Sequence, residues 1–175
     1  LGCKTLERQR DAATFELNRS LKKLRTDALD LYQMHALSEL DELDKAMGPG
    51  GVLEAMIEAR EQGKTRWLGI TTHGMYAPQI VRRALERFEL DTVMFPLNPR
   101  LYADAGYRRD AEAALDLCQQ HDVGVMIIKA FAKGPWGDQP KIYQSWYEPY
   151  DQYAEIEPSL RFALSQPGVS AAVSA

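Results

Sequence analysis

The sequence has no surplus of basic residues. Its 21 Lys and Arg stand against 25 Asp and Glu, a formal charge of −4, whereas a nucleic-acid binder normally concentrates a basic excess on one face. No apolar run approaches the roughly 18 residues of a membrane span. No charged-then-apolar leader of the secretory kind is visible. The only cysteines are Cys3 and Cys118, too few for a disulfide framework or a four-thiolate cluster. These absences lead us to expect a cytoplasmic setting, with neither nucleic acid nor membrane as partner. The three histidines show no HxH or HExxH spacing, so a metal site on His35 and His73 has no motif behind it.

The 175 residues, 45% hydrophobic and 26% charged, suit one folded domain with a substantial core. The chain opens at Leu1 in a strand-like run (Leu1 to Lys4) and closes at Ala175 in another (Val169 to Ala175). It therefore reads as a single domain, 1–175, truncated at both ends and cut from a longer protein. Further short apolar runs, at Ala28–His35, Arg66–Thr71, Thr92–Leu97, Val123–Ile128 and Val169–Val173, are too short for helices and end in polar or turn residues. Between them lie helical stripes: Ala13, Leu17, Leu21 and Leu24; then Val52 to Ile57, stopped by Gly63; then Ile80 to Phe88, with Pro78 near its start. Ala111 to Cys118 makes a fourth stripe. Leu160 to Leu164 makes a short fifth, started by Pro158 and ended by Gln166-Pro167-Gly168.

Strands alternating with helices of crossover length demand parallel pairing. Six strands and five helices fit, and a complete (β/α)8 barrel needs about 250 residues. The expected fold is an α/β, partial (β/α)8 TIM barrel with six of its eight strands. The competing open doubly wound sheet normally announces itself by a Gly-rich phosphate turn after the first strand, and none is present. Gly48-Pro49-Gly50-Gly51 precedes a helix but follows an acidic loop, which leaves it as a turn or a phosphate contact. The segment from Pro135 to Tyr153 crowds two Trp and several Tyr into a long loop without period. A loop in that place is either a substrate lid on the C-terminal face of the barrel or packing for absent helices.

The polar residues at strand ends carry the chemistry. Lys4 ends the first strand and His35 the second, so in a parallel barrel both project at one rim. A cation beside an imidazole there can tune the pKa of a third group.

Lys4-Thr5, then Ser20-Leu21-Lys22-Lys23-Leu24 with Thr26-Asp27, then Leu29 to His35, resemble the central signature of the aldo-keto reductases. Looser similarity continues through Gly51–Leu53, Gly63-Lys64, Trp67–Thr71, Asp91–Asn98, Gly124–Lys129 and Pro158–Leu164. The flavour is that of the group whose longer members often carry a C-terminal ferredoxin-like iron–sulfur region. The resemblance implies a (β/α)8 barrel that binds a nicotinamide dinucleotide, usually NADP with NAD possible, and passes hydride between it and a small-molecule carbonyl substrate. In the family a tyrosine donates the proton, an aspartate and a lysine adjust that tyrosine's pKa, and a histidine orients the carbonyl. By motif position Lys4 is the lysine and His35 the histidine. The family's aspartate and tyrosine precede Lys4. Tyr32 reads as core or barrel lining.

The same resemblance places the cofactor. Thr71 and Thr72 stand where the family has a Ser-Asn pair for the carboxamide, followed by His73 as either a ligand contact or a turn cap. Met94 replaces a glutamine and Leu97 the stacking tyrosine, while Asn98 keeps the motif's amide. Lys129 stands where many members have an aromatic, as a contact for pyrophosphate or substrate or as a rim ion pair. Phe131 to Gly134 matches the loop that wraps the dinucleotide. Two functions follow: reduction of aldehydes or ketones by the complete protein, with the 175-residue piece inactive by itself, or a cofactor-holding regulatory module with little turnover.

Overall fold

The computed structural model describes residues 1–138 and 140–173. In chain order the elements are β1 (Gly2–Thr5), α1 (Arg10–Leu24), β2 (Leu29–Leu37), α2 (Leu40–Ala46), α3 (Val52–Glu61), β3 (Thr65–Thr72), α4 (Ala77–Leu85) and β4 (Thr92–Pro96). There follow α5 (Pro99–Ala103), α6 (Ala105–Gln120), β5 (Gly124–Ile128), β6 (Ala132–Gly134), β7 (Glu148–Pro149), α7 (Tyr153–Ser165) and β8 (Val169–Val173). Six strands form one parallel sheet in the order β1-β2-β3-β4-β5-β8, and β6 pairs antiparallel with β7. This is the expected partial barrel.

Strand register sorts the side chains. Tyr32, Met34, Leu68, Ile70, Val93, Phe95, Val125 and Ile127 alternate along their strands and are buried against the helices. The residues between them share the opposite face, where Lys4 pairs with Gln33, Gln33 with Gly69, Gly69 with Thr92, and Thr92 with Gly124. Gly69 is required in that row. A β-carbon there would lie 2.6 Å from the Thr92 carbonyl and 3.1 Å from the Gln33 amide nitrogen, which donates across to Thr92 Oγ1 at 3.2 Å.

Two helices escape the periodic reading. α2 spans seven residues and α5 five, too few for a repeating stripe. Asn98 nucleates α5 by accepting the Leu101 N–H at 2.9 Å, with Pro99 as its first residue. α7 begins five residues before the proline expected to start it: Glu155 and Ile156 donate to the Gln152 carbonyl at 2.9 and 3.0 Å. Pro158 therefore lies inside the helix and removes a single backbone bond near its beginning. Gly48 to Gly51 form a turn: Gly50 donates to Glu54 Oε1 at 3.0 Å, so a carboxylate of the same chain already occupies the start of α3.

Candidate active site

Lys4 and His35 lie near the C-terminal ends of adjacent parallel strands, Lys4 level with Gln33 and His35 two residues beyond. Lys4 is exposed and His35 half-buried. The His35 pKa is lowered by partial burial first, then by the positive charges of Lys4 and Arg8. A bulge interrupts the β2–β3 ladder between Met34 and Leu37, and Ala36 takes a left-handed backbone with φ 60°. A non-glycine residue in that region is strained and persists only where neighbours over-determine it. Here the Ala36 N–H donates to Thr71 Oγ1 at 2.8 Å, and the His35 carbonyl accepts from Arg8 Nη2 at 2.7 Å. Arg8 is itself held by Glu42 at 2.6 Å. It is a positioning residue that the sequence did not single out, because a lone arginine after a strand carries no periodic signal.

His73 joins the same corner from the end of β3. Its ring centre lies 6.4 Å from that of His35. Its pKa is lowered to about 4, by burial first and then by the charges of Lys129, His35 and Lys4, so the ring is neutral at pH 7. Among the described residues its buried Nδ1 has no hydrogen-bond partner. Lys129 follows β5 with φ 59°, and partial burial lowers its pKa. Its carbonyl accepts from Asn98 Nδ2 at 3.0 Å and from the Ala132 N–H at 3.0 Å.

The other residues singled out in the sequence are on this rim with more of their polar groups engaged than their types suggest. Thr71 and Thr72 are buried; Thr71 accepts from Ala36, and Thr72 Oγ1 donates to the Met94 carbonyl at 3.4 Å. Asn98, also buried, uses its oxygen to cap α5 and its nitrogen to hold the Lys129 carbonyl. Leu97 and Met94 are core residues. Phe131 is half-buried against the core. Gly134 lies under Arg100: a β-carbon would come within 3.2 Å of the guanidinium, which donates to the Lys133 carbonyl at 2.6 Å. Tyr32 is core, with its hydroxyl pushed up to about 12 by burial.

The aromatic segment after Gly134 is tethered at its base. Tyr150 N–H donates to the Phe131 carbonyl at 2.8 Å, Lys133 pairs with Glu148 at 2.9 Å, and Trp136 Nε1 donates to the Ser145 carbonyl at 2.9 Å. Trp146, two residues before the paired Glu148, is 91% exposed. A concavity of about 1210 Å³ opens at the other end of the strands, between Arg60, Trp67, Phe88, Asp91 and His121. It lies where β4 and β5 begin, away from Lys4 and His35. Among the described residues no cluster of three His, Cys, Asp or Glu side chains could hold a metal ion.

The family model described as aldo/keto reductase family matches residues 7–139, a stretch that contains His35 and follows Lys4. The uncharacterized oxidoreductase YqkF of Bacillus subtilis is 23% identical over 179 residues, covering 90% of this chain and 53% of that protein. The holo form of aldo-keto reductase AKR11C1 from Bacillus halodurans superposes with TM-score 0.64 at 19% identity, covering 99% of this chain and 61% of that one. Glycerol dehydrogenase AKR11B4 from Gluconobacter oxydans gives 0.59 at 20% identity, covering 95% and 55%. The chain thus spans about half the length of the curated relative and about three fifths of these structures. With the family model matched along most of its length and the parallel sheet of that fold, this chain belongs to the aldo/keto reductase family.

Proposed function

We propose that the protein reduces the carbonyl group of a small aldehyde or ketone with a nicotinamide dinucleotide, NADP or NAD. The observation that carries this reading is the placement of Lys4 and His35 at one rim of neighbouring parallel strands, close enough for the ammonium to lower the imidazole pKa. His35, kept unprotonated, presents a ring N–H that donates to the carbonyl oxygen and stabilises the negative charge growing there. The Lys4 ammonium adds positive potential beside it. No tyrosine of this chain is given the proton transfer, since Tyr32 is in the core.

The dinucleotide supplies the hydride when bound. A corner with an orphaned imidazole nitrogen and a half-buried ammonium suits a ligand bearing amide and phosphate groups. Thr71, Thr72 and Asn98 shape its wall, Lys129 offers a charge, and Phe131 to Gly134 form the loop across it. The aromatic segment tethered to this loop would serve as its lid. The thiols of Cys3 and Cys118 are free, consistent with the cytoplasm.

The test is NADPH oxidation by the intact protein on a panel of aldehydes and ketones. Lys4→Met and His35→Phe should each lower kcat/KM by about 100-fold or more, the range of a lost acid–base or charge-stabilising group. Unchanged turnover in Lys4→Met removes Lys4 from the mechanism. A second reading, a cofactor-holding regulatory module, is favoured by the internal bonds of Thr71, Thr72 and Asn98. Cofactor quenching of tryptophan fluorescence without turnover on the whole panel would establish that reading instead.

A further inference from the structure

A guanidinium has five N–H donors, and in Arg8 every one is used. Nε donates to Glu42 Oε1 at 2.8 Å, and Nη2 donates to the same oxygen at 2.6 Å and to the His35 carbonyl at 2.7 Å. Nη1 reaches back to the carbonyls of Leu6 and Glu7 at 3.0 and 3.2 Å. The other oxygen of Glu42 accepts the Ser38 N–H at 3.0 Å, so one carboxylate ties Arg8 to the segment that leaves β2. The turn after Lys4 is anchored further: the Glu7 N–H donates to Thr5 Oγ1 at 3.1 Å, and the Arg8 carbonyl accepts the Val52 N–H at 3.0 Å. The turn after Lys4 and the bend after His35 are thus fastened to each other through Arg8, and Glu42, in the first turn of α2, locates it. The Arg8 and Glu42 side chains are only 15% and 31% exposed, unlike the solvated pairs that hold little geometry.

We infer that Glu42 is a positioning residue for the reaction: acting through Arg8, its carboxylate sets Lys4 and His35 relative to one another. This rests on the reductase reading for what those two side chains do; the clamp itself stands on its bonds. Strand pairing does not fix the two groups unaided. His35 lies where the β2–β3 ladder is bulged, and β1 ends one residue after Lys4. A misplacement of about 1 Å among reacting groups can cost about 100-fold in rate, so a device that joins the two segments has work to do. Only a planar fork can make these five bonds; a lysine ammonium carries its donors on a single nitrogen.

The test is a mutant cycle in the intact protein, read by NMR titration of His35. Burial, Lys4 and Arg8 lower the pKa of that ring, and the His73 ring lies 6.4 Å away. Lys4→Gln should therefore raise the His35 pKa. In a Glu42→Gln background the same change should raise it by about half as much or less, because the two groups are no longer held together. Glu42→Gln keeps the shape of the side chain, but an amide cannot accept from both Arg8 and Ser38. Arg8→Lys keeps the charge and loses the fork, and should weaken the coupling equally; it decides the matter if Glu42→Gln fails to fold. With NADPH and an aldehyde substrate, each of the two variants should lower kcat about tenfold or more while KM changes by less than about twofold. An undiminished rise in His35 pKa, or wild-type kcat in either variant, overturns the proposal. So does a wild-type His35 pKa that ignores Lys4→Gln. If no carbonyl compound turns over, weakened coupling upholds the clamp while the reductase reading fails, and undiminished coupling overturns the clamp as well.

Discussion

The hydroxyl of Thr71 on β3 accepts the backbone N–H of Ala36 on β2 at 2.8 Å, and Ala36 is the left-handed residue that follows His35. The candidate carbonyl-orienting group is therefore held by a neighbouring strand through a side chain the sequence suggests for ligand binding. Thr71→Val removes the acceptor and orphans a backbone donor, so it should cost about 1–3 kcal/mol in urea unfolding. Thr71→Ser keeps the hydroxyl and should recover most of it. Equal losses in both variants would contradict the role given to that bond.

His73 should stay neutral through the physiological range. Its folded pKa of about 4 lies below the ordinary 6.5, so between those values the unfolded chain binds a proton that the folded protein refuses. The stabilising effect is complete above pH 6.5 and is lost progressively as pH falls toward 4. An NMR titration should give a His73 midpoint near 4, and His73→Phe should flatten the pH dependence of unfolding across that window. A midpoint at or above 6.5 would refute it.

Asn98 does two jobs that two variants separate. Asn98→Asp keeps the oxygen that caps α5 but loses the donor to the Lys129 carbonyl. Asn98→Ala loses both and should cost about 1–2 kcal/mol more, the usual worth of a cap. Thermal unfolding checks the difference, and equal values would mean that the cap is idle.

Gly69→Ala should be among the most damaging small changes. The new β-carbon would press on the Thr92 carbonyl at 2.6 Å and on the Gln33 amide, and overpacking of this kind costs about 1–3 kcal/mol. Denaturant midpoints compared with those of Gly137→Ala, where no atom lies within 4 Å and the backbone is not left-handed, separate crowding from loss of a glycine.

The 175-residue polypeptide prepared alone should show little or no reductase activity and should associate. β1 and β8 form the two edges of the six-stranded sheet, and unpaired edges invite pairing between copies. Sedimentation together with the NADPH assay tests both; a monodisperse, active preparation would refute the expectation.

The alternation of short apolar runs with helical stripes was enough to read out the parallel strands β1 to β5 and β8 and the long helices, because those patterns record which face is buried. α2 and α5 were invisible, being shorter than the window in which a period can show. The start of α7 was masked by Pro158, which marks a first turn more often than a helix interior. For the site, strand-end position puts Lys4 and His35 at one rim, and His73 and Lys129 stand out in the sequence where they depart from the resemblance.

The sequence determined by itself the periodicities, the strand order's parallel sense and the types of polar group at the strand ends, since these depend on local spacing and connection length. Only the tertiary structure decided which polar groups remain available. Thr71, Thr72 and Asn98 are engaged by Ala36, Met94, Leu101 and Lys129, partners on other strands or on the following turn, while the Nδ1 of His73 is left over. Hydrogen-bond satisfaction depends on angstrom-scale placement across strands far apart in sequence, and no spacing along the chain encodes it.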